Sequence, residues 1–313
     1  MFNRRFLRIK IMQALYSYFK DEKANVAVSE KNLFTSIDKS YELFLYILGF
    51  LNNLQFFARI SIEESKAKRL PTADDLNPNL KFVNNLFLTA LNDNKAINDD
   101  WVNNKISWQN DQDLVRKIFN EIKNSDIFKD YIKSEVHTFA EDKKFIQTIL
   151  ESFLYEHELF NFWFEEKSIH WNDDYYYGFF FLSKWMDTVT ETKMPAPQLY
   201  RDAEGDKKFI KDVFVKTILH SEEFDSLIAE HTKNWELERI ASLDVLLMKM
   251  ALAEIQYLSN VPIKVSMNEY IDITKEYSTP QSGGFINGIL DKIVIDLKKQ
   301  DKIQKTGRGL LEN

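Results

Sequence analysis

Residues 261–297 read VPIKVSMNEYIDITKEYSTPQSGGFINGILDKIVIDL, and their spacing predicts two amphipathic helices joined by a short polar turn. Met267, Tyr270, Ile271, Thr274 and Tyr277 mark the inner face of the first helix. Ile286, Ile289, Leu290, Ile293 and Leu297 do the same for the second. Pro262 belongs to the preceding turn or the first helical turn, where its missing N–H costs nothing. Just upstream, Leu237 to Leu258 is nearly all apolar, and between Leu243 and Ile255 only Asp244, Lys249 and Glu254 are charged. A helix of that kind is buried on most sides and forms the centre of a bundle. Ile210, Val213, Phe214 and Thr217 define one more helix before it.

The same periodicity extends toward the N-terminus. From Asn3 to Lys20, the residues Leu7, Ile11, Ala14, Leu15 and Tyr18 give one buried stripe, while Arg4, Arg5 and Arg8 cluster on another face. Ser29 to Arg59 reads as a longer helix. A loop around Pro71 and Pro78 follows, then a short helix through Val83, Leu86, Phe87 and Ala90, ended by the Asn/Asp-rich run from Asn92 to Asn104. Helical spacing returns from Asp111 to Tyr131 and from Glu141 to Phe164, where His157 falls on the apolar stripe and reads as a core histidine. The aromatic run Asp173 to Asp187 reads as a buried helix in preference to strands. Pro195 and Pro197 place a boundary near residue 200. There is no internal repeat of fixed period. The fold class is all-α.

Composition supports this reading. Eight Gly and six Pro among 313 residues leave few turns for a strand-rich fold. The absence of cysteine excludes disulfides and thiolate metal sites and favours a reducing compartment, the cytoplasm. No run approaches the roughly 20 apolar residues of a membrane span, so no membrane partner is expected. The five histidines show no ligand spacing, and the Gly283-Gly284 corner lacks the strand and Lys-Ser/Thr pair of a phosphate loop, so neither metal nor cofactor is expected. Net charge is −7, yet residues 1–20 carry +5, leaving −12 on the remainder. Positive charge gathered at one end offers phosphate a local target on a chain that otherwise repels polyanions.

Two segments resemble the NusB family of transcription antitermination factors. One runs from Arg4 to Tyr18, with Arg4-Arg5, Arg8 and Gln13-Ala14-Leu15-Tyr16. The other runs from Trp235 to Ile293: Trp235 to Arg239, Ser242-Leu243-Asp244, Ala251 to Glu254, Val261 to Glu269, Lys275-Glu276-Tyr277 and Ser282 to Ile293. Strong matching covers about a quarter of the chain. The resemblance implies NusB-like helical bundles with a large inserted helical segment. Residues 1–23 are then the Arg-rich first helix, 24–200 the insertion, 201–300 the rest of the domain, and 301–313 a basic, disordered tail. It also implies binding without catalysis: boxA-type single-stranded RNA, the small-subunit ribosomal protein NusE and the RNA polymerase antitermination complex are the expected partners.

By that resemblance Arg4, Arg5 and Arg8 contact RNA, together with Gln281, Ser282 and Phe285 at the start of the last helix and Lys249 beside the path. Tyr16 and Asp244 meet NusE. Each has a plainer reading: a solvated charged face for the arginines, an N-cap for Ser282, core packing for Phe285, a favourable helix N-terminal charge for Asp244, and a surface lysine for Lys249. Gln281 stands where several members carry Asp, which changes the hydrogen bonding there. Two rival functions compete with this one. A protein-interaction scaffold that has lost RNA binding suits the acidic average and the unmatched middle. A methyltransferase with an accessory RNA-binding part would need a Gly-rich doubly wound domain and catalytic cysteines, which the chain lacks. A homodimer that hides the arginine helix is left open by the sequence.

Overall fold

The computed structural model describes residues 2–232 and 240–311, and those residues are helical, as expected. The helices are α1 (Arg4–Lys20), α2 (Val26–Lys66), α3 (Ala73–Leu76), α4 (Leu86–Asp93), α5 (Lys95–Asn103), α6 (Gln112–Asn124), α7 (Asp126–Lys133) and α8 (Phe139–Ile149). After these come α9 (Glu158–Lys167), α10 (Tyr175–Asp187), α11 (Ala203–Leu219), α12 (Ser221–His231), α13 (Ser242–Tyr257), α14 (Ile263–Tyr277) and α15 (Ser282–Lys299). The motif residues Trp235 to Arg239 lie outside the described residues. The chain divides into two compact units, residues 38–199 and residues 2–37 with 200–313. Residue 24 is therefore not where the middle unit begins: α2 passes residue 38 without a break, so one helix serves both units.

Unit 38–199 is organised on α2. Leu43, Ile47, Phe50, Leu51 and Leu54 are buried, and an aromatic core closes over them. The Phe50 and Phe160 rings lie 4.5 Å apart, and Trp108 stacks on Trp163 at 4.2 Å. Gly178 lets α10 approach closely, because a Cβ there would lie 2.9 Å from Ile47 Cδ1. In length and composition alone α2 could cross a membrane, a weak signal that the sequence reading did not single out. However, 67% of its apolar window is packed inside the protein, as in a core helix.

The Asn/Asp-rich run ends α4 at Asp93, as expected, but carries a helix of its own, because Asn94 accepts the Ile97 N–H at 3.2 Å and starts α5. Two other local expectations fail for identifiable reasons. The 141–164 stripe is not one helix: a π-turn at Leu150–Leu154 shifts the register and α9 begins afresh. His157 is consequently not a core residue. Its Nδ1 accepts the Phe160 N–H, capping α9, while Nε2 meets Glu121 at 2.9 Å.

In unit 2–37/200–313, α13 is the centre, with α11, α12, α1, α14 and α15 packed against it. Met248, Ala251, Leu252 and Ile255 are fully buried. Residues 301–311 of the tail pack on α13, contrary to the expectation of disorder. Lys305 Nζ donates to the carbonyls of Glu254 and Leu258, at the C-terminal end of α13, and the Thr306 N–H donates to Ser259 O at 2.9 Å. Gly309 is buried so tightly that a Cβ would come 1.9 Å from Ser259 O. Gly309→Ala is therefore expected to push the tail off α13 and to lower stability by about 1–3 kcal/mol. An unchanged urea midpoint would show that the tail braces nothing.

Candidate nucleic-acid interface

The three arginines of α1 meet three different environments. Arg8 is buried, 2% exposed, and its Nε donates to Glu254 Oε2 at 2.8 Å while Nη2 donates to the other carboxylate oxygen. Glu254 is fully buried and also accepts from the hydroxyls of Ser266 (2.8 Å) and Tyr270 (3.0 Å). Burial alone would push the Glu254 carboxyl up. The Arg8 guanidinium and the two hydroxyls outweigh it and hold the carboxyl below its ordinary value of 4.5. Arg8 therefore cannot reach RNA, which corrects the assignment of a direct contact. Its role is to clamp α1 to α13 and α14.

Arg4 and Arg5 remain at the surface, on either side of that clamp. Arg4 meets Asp206 of α11 at 3.3 Å and lies over the Phe209 ring at 4.8 Å. Arg5 forms a bidentate pair with Glu269 at 3.0 and 3.1 Å and donates to Asp272 at 2.8 Å. Their side chains keep 38% and 41% of their exposure. The opposite oxygen of Asp272 accepts from Lys275 Nζ at 2.8 Å, and a Cβ on Gly283 would lie 3.5 Å from Lys275 Cγ. The amino end of α1 and the start of α15 are thus joined across α14 by an Arg5–Asp272–Lys275 chain.

At the start of α15, Gln281 is exposed and Phe285 half-buried, and Gly284 and Gly288 face open space. Ser282 is different, at 5% exposure. Its hydroxyl is bonded to Ser278 (3.1 Å) and Thr279 (2.8 Å), inside the turn, so it is available neither as an N-cap nor to an outside ligand. Ser278 also donates to Asp244, which is 4% exposed, so Asp244 fixes the 278–282 turn and does not present its carboxylate outward. Lys249 is likewise no surface lysine beside an RNA path: it is buried and pairs with Asp225 at 2.6 Å and Ser221 at 2.9 Å. Tyr16 is 42% exposed and lines a cleft of about 320 Å³ with Phe19, Lys20, Val245 and Leu246.

The carboxylates that arrange these cations, Asp206, Glu254, Glu269 and Asp272, were missed from the sequence. One of them carried a signal: Glu254 is a charge in an apolar helix, and a buried charge requires a partner. Among the described residues no group of three or more His, Asp or Glu could hold a metal ion.

Fold and site together define an all-helical module whose accessible chemistry is a row of cations beside an open helix start. Residues 184–294 match the NusB family model. Similar relatives include transcription antitermination proteins NusB from Salinibacter ruber (46% identical, 34% of this chain and 66% of the relative), Chloroherpeton thalassium (45%, 34% and 50%) and Desulfatibacillum aliphaticivorans (42%, 31% and 68%). No solved structure matches. The chain belongs to the NusB family, although it spans no more than 66% of the length of the first two of these relatives.

The buried pair sets a stability test. Arg8→Ala leaves Glu254 charged and unpaired in the core and is expected to cost about 3–5 kcal/mol, whereas the double change Arg8→Met with Glu254→Leu costs less than either single one. Because the Glu254 carboxyl titrates lower when folded, its contribution is complete above 4.5 and is lost as pH falls through the folded value. Acid unfolding should therefore be less steep in the double variant than in the native chain. Equal pH profiles would show that the pair does not govern acid stability.

Proposed function

We propose that this chain is an RNA-binding antitermination factor without catalytic activity. It takes boxA-type single-stranded RNA on Arg4, Arg5, Lys275 and the Gln281–Phe285 corner, in the cytoplasm and with the RNA polymerase antitermination complex. The observation that supports the reading is the Arg5–Asp272–Lys275 chain, which runs from the partly exposed Arg5 guanidinium to Lys275 beside Gly283 at the start of α15. Guanidinium forks pair with phosphate oxygens, the first-turn N–H groups of a helix favour an anion, and a half-exposed Phe285 ring offers a base a stacking surface. The Tyr16 cleft is where NusE would dock. The relatives' name, transcription antitermination protein, supports the activity.

Arg4 and Arg5 are already paired to carboxylates, so phosphate must displace Asp206, Glu269 or Asp272. Binding then exchanges one ion pair for another, which lowers its net strength and favours a ligand that also stacks and hydrogen-bonds. A scaffold that has lost RNA binding is the reading this neutralisation favours in turn. Titration decides between them. Arg4→Ala with Arg5→Ala should weaken boxA binding and reduce the salt slope by about 0.7 per lost phosphate contact. Equal affinity and slope in the native chain and the variant would leave the scaffold.

A further inference from the structure

Unit 38–199 carries a groove that the proposed RNA face does not use. It measures about 690 Å³, within the range of small-ligand sites, and lies between α2, α4 and the start of α6. Its walls are ordered by chemistry. On α2, Asn52, Phe56 and Arg59 follow at spacings of four and three and share one face. On the facing wall, Gln109 and Gln112 lie at the end near Asn52 and Asn53, for Gln112 Nε2 donates to Asn53 Oδ1 at 3.4 Å. Arg116 lies at the other end, over the Phe57 ring at 5.2 Å. The groove therefore has an amide end, a guanidinium end and, between them, the Phe56 ring, 56% exposed.

The floor is preorganised. Gln55, 1% exposed, donates to Val83 O at 2.9 Å and accepts from Asn92 at 2.7 Å. The rim is different: among the described residues the side chains of Asn52, Arg59 and Gln109 have no hydrogen-bond or ion-pair partner, so these groups are open to a ligand. Asp93 and Asp113 also line the groove, so its charge balances and it is no general polyanion trap. Amides read a base edge, an exposed ring stacks on the base face, guanidiniums take the phosphate and carboxylates accept from ribose hydroxyls.

We infer that this groove holds a ribonucleotide unit of single-stranded RNA, base at the Asn52–Gln109 end and phosphate at the Arg59–Arg116 end. The inference rests on the reading of the chain as RNA-binding, but uses a separate surface. The test takes the full chain, photo-crosslinks it to random-sequence single-stranded RNA, maps the linked peptides by mass spectrometry and measures affinity by gel shift. The expected crosslink falls within residues 52–60 or 109–116. Phe56→Ala with Arg59→Gln abolishes it and weakens binding about tenfold while helicity by circular dichroism is unchanged. Arg4→Ala with Arg5→Ala leaves that crosslink in place. A native crosslink map empty in both segments, or a Phe56/Arg59 variant with native affinity, overturns the groove assignment and leaves the α1 face standing. An α1 variant with native boxA affinity, alongside a groove variant that fails, does the reverse. Added nucleoside monophosphates should protect the groove only weakly. Full protection at micromolar monophosphate would make the occupant a free nucleotide and overturn the RNA assignment, and capture of a protein with no RNA crosslink would overturn it as well.

Discussion

The Arg8–Glu254 pair is the constraint on which the candidate interface depends. Two charges with almost no exposure are held together by a bidentate bond and by the hydroxyls of Ser266 and Tyr270, so every strong hydrogen-bonding demand of the carboxylate is met. A buried pair of this kind adds little net stability compared with apolar packing, but moving or removing one partner leaves the other charge buried and unpaired, which is costly. Directional bonds reach from α1 to one carboxylate on α13, and from two residues of α14 to the same carboxylate. Those three helices are thereby fixed in register. The positions of Arg4 and Arg5 follow from that register, since both lie within about one turn of Arg8.

Division of labour among the arginines is a consequence of helix geometry. Residues 4 and 8 stack one turn apart and flank the buried Phe209 ring, at 4.8 and 5.0 Å. Only the one nearer the helix end retains substantial exposure. Arg5 is turned about a hundred degrees away and reaches α14 instead. Partnering by carboxylates then limits what the surface does. A chain with net charge −7 and neutralised guanidiniums attracts polyanions weakly at long range. Selectivity for the proposed ligand would then rest on close contacts, namely stacking, forked hydrogen bonds and the unobstructed backbone at Gly284 and Gly288.

Helix periodicity made most of the fold legible, because an apolar face repeating every three or four residues survives any change in tertiary detail. What it could not show was register. The π-turn at Leu150–Leu154 adds residues to a turn without breaking the apolar pattern, so a continuous stripe concealed a helix boundary and moved His157 from core to cap. Charge was read less well, for a related reason. A cluster of arginines appears in sequence as free positive charge, yet the acids that neutralise it are about 200 to 270 residues away, at Asp206, Glu254, Glu269 and Asp272. Asp244 and Lys249 show the same limit, since each is polar in sequence and satisfied by a residue 34 or 24 positions away, whereas Ser282 is satisfied by Ser278 and Thr279 within its own turn.

The two candidate surfaces solve recognition differently. On α1 and α14 the ligand must compete with carboxylates for cations, so each ion pair formed with phosphate is offset by one that is broken. In the α2 groove the competing bonds lie in the floor, where Gln55, Asn92 and Thr89 satisfy one another, and the rim amides and Arg59 are left unpaired. A ligand entering there meets unpaired amides and Arg59 over a floor already held by its own bonds, and competes with a carboxylate only at Arg116, which lies 3.6 Å from Glu64. On the proposed reading, that arrangement recognises the shape and edge of a base with little help from net charge. If the proposed RNA strand is held amid many polyanions, such a groove serves an acidic protein better than additional exposed lysines, because lysines would strengthen every wrong interaction by the same amount as the right one.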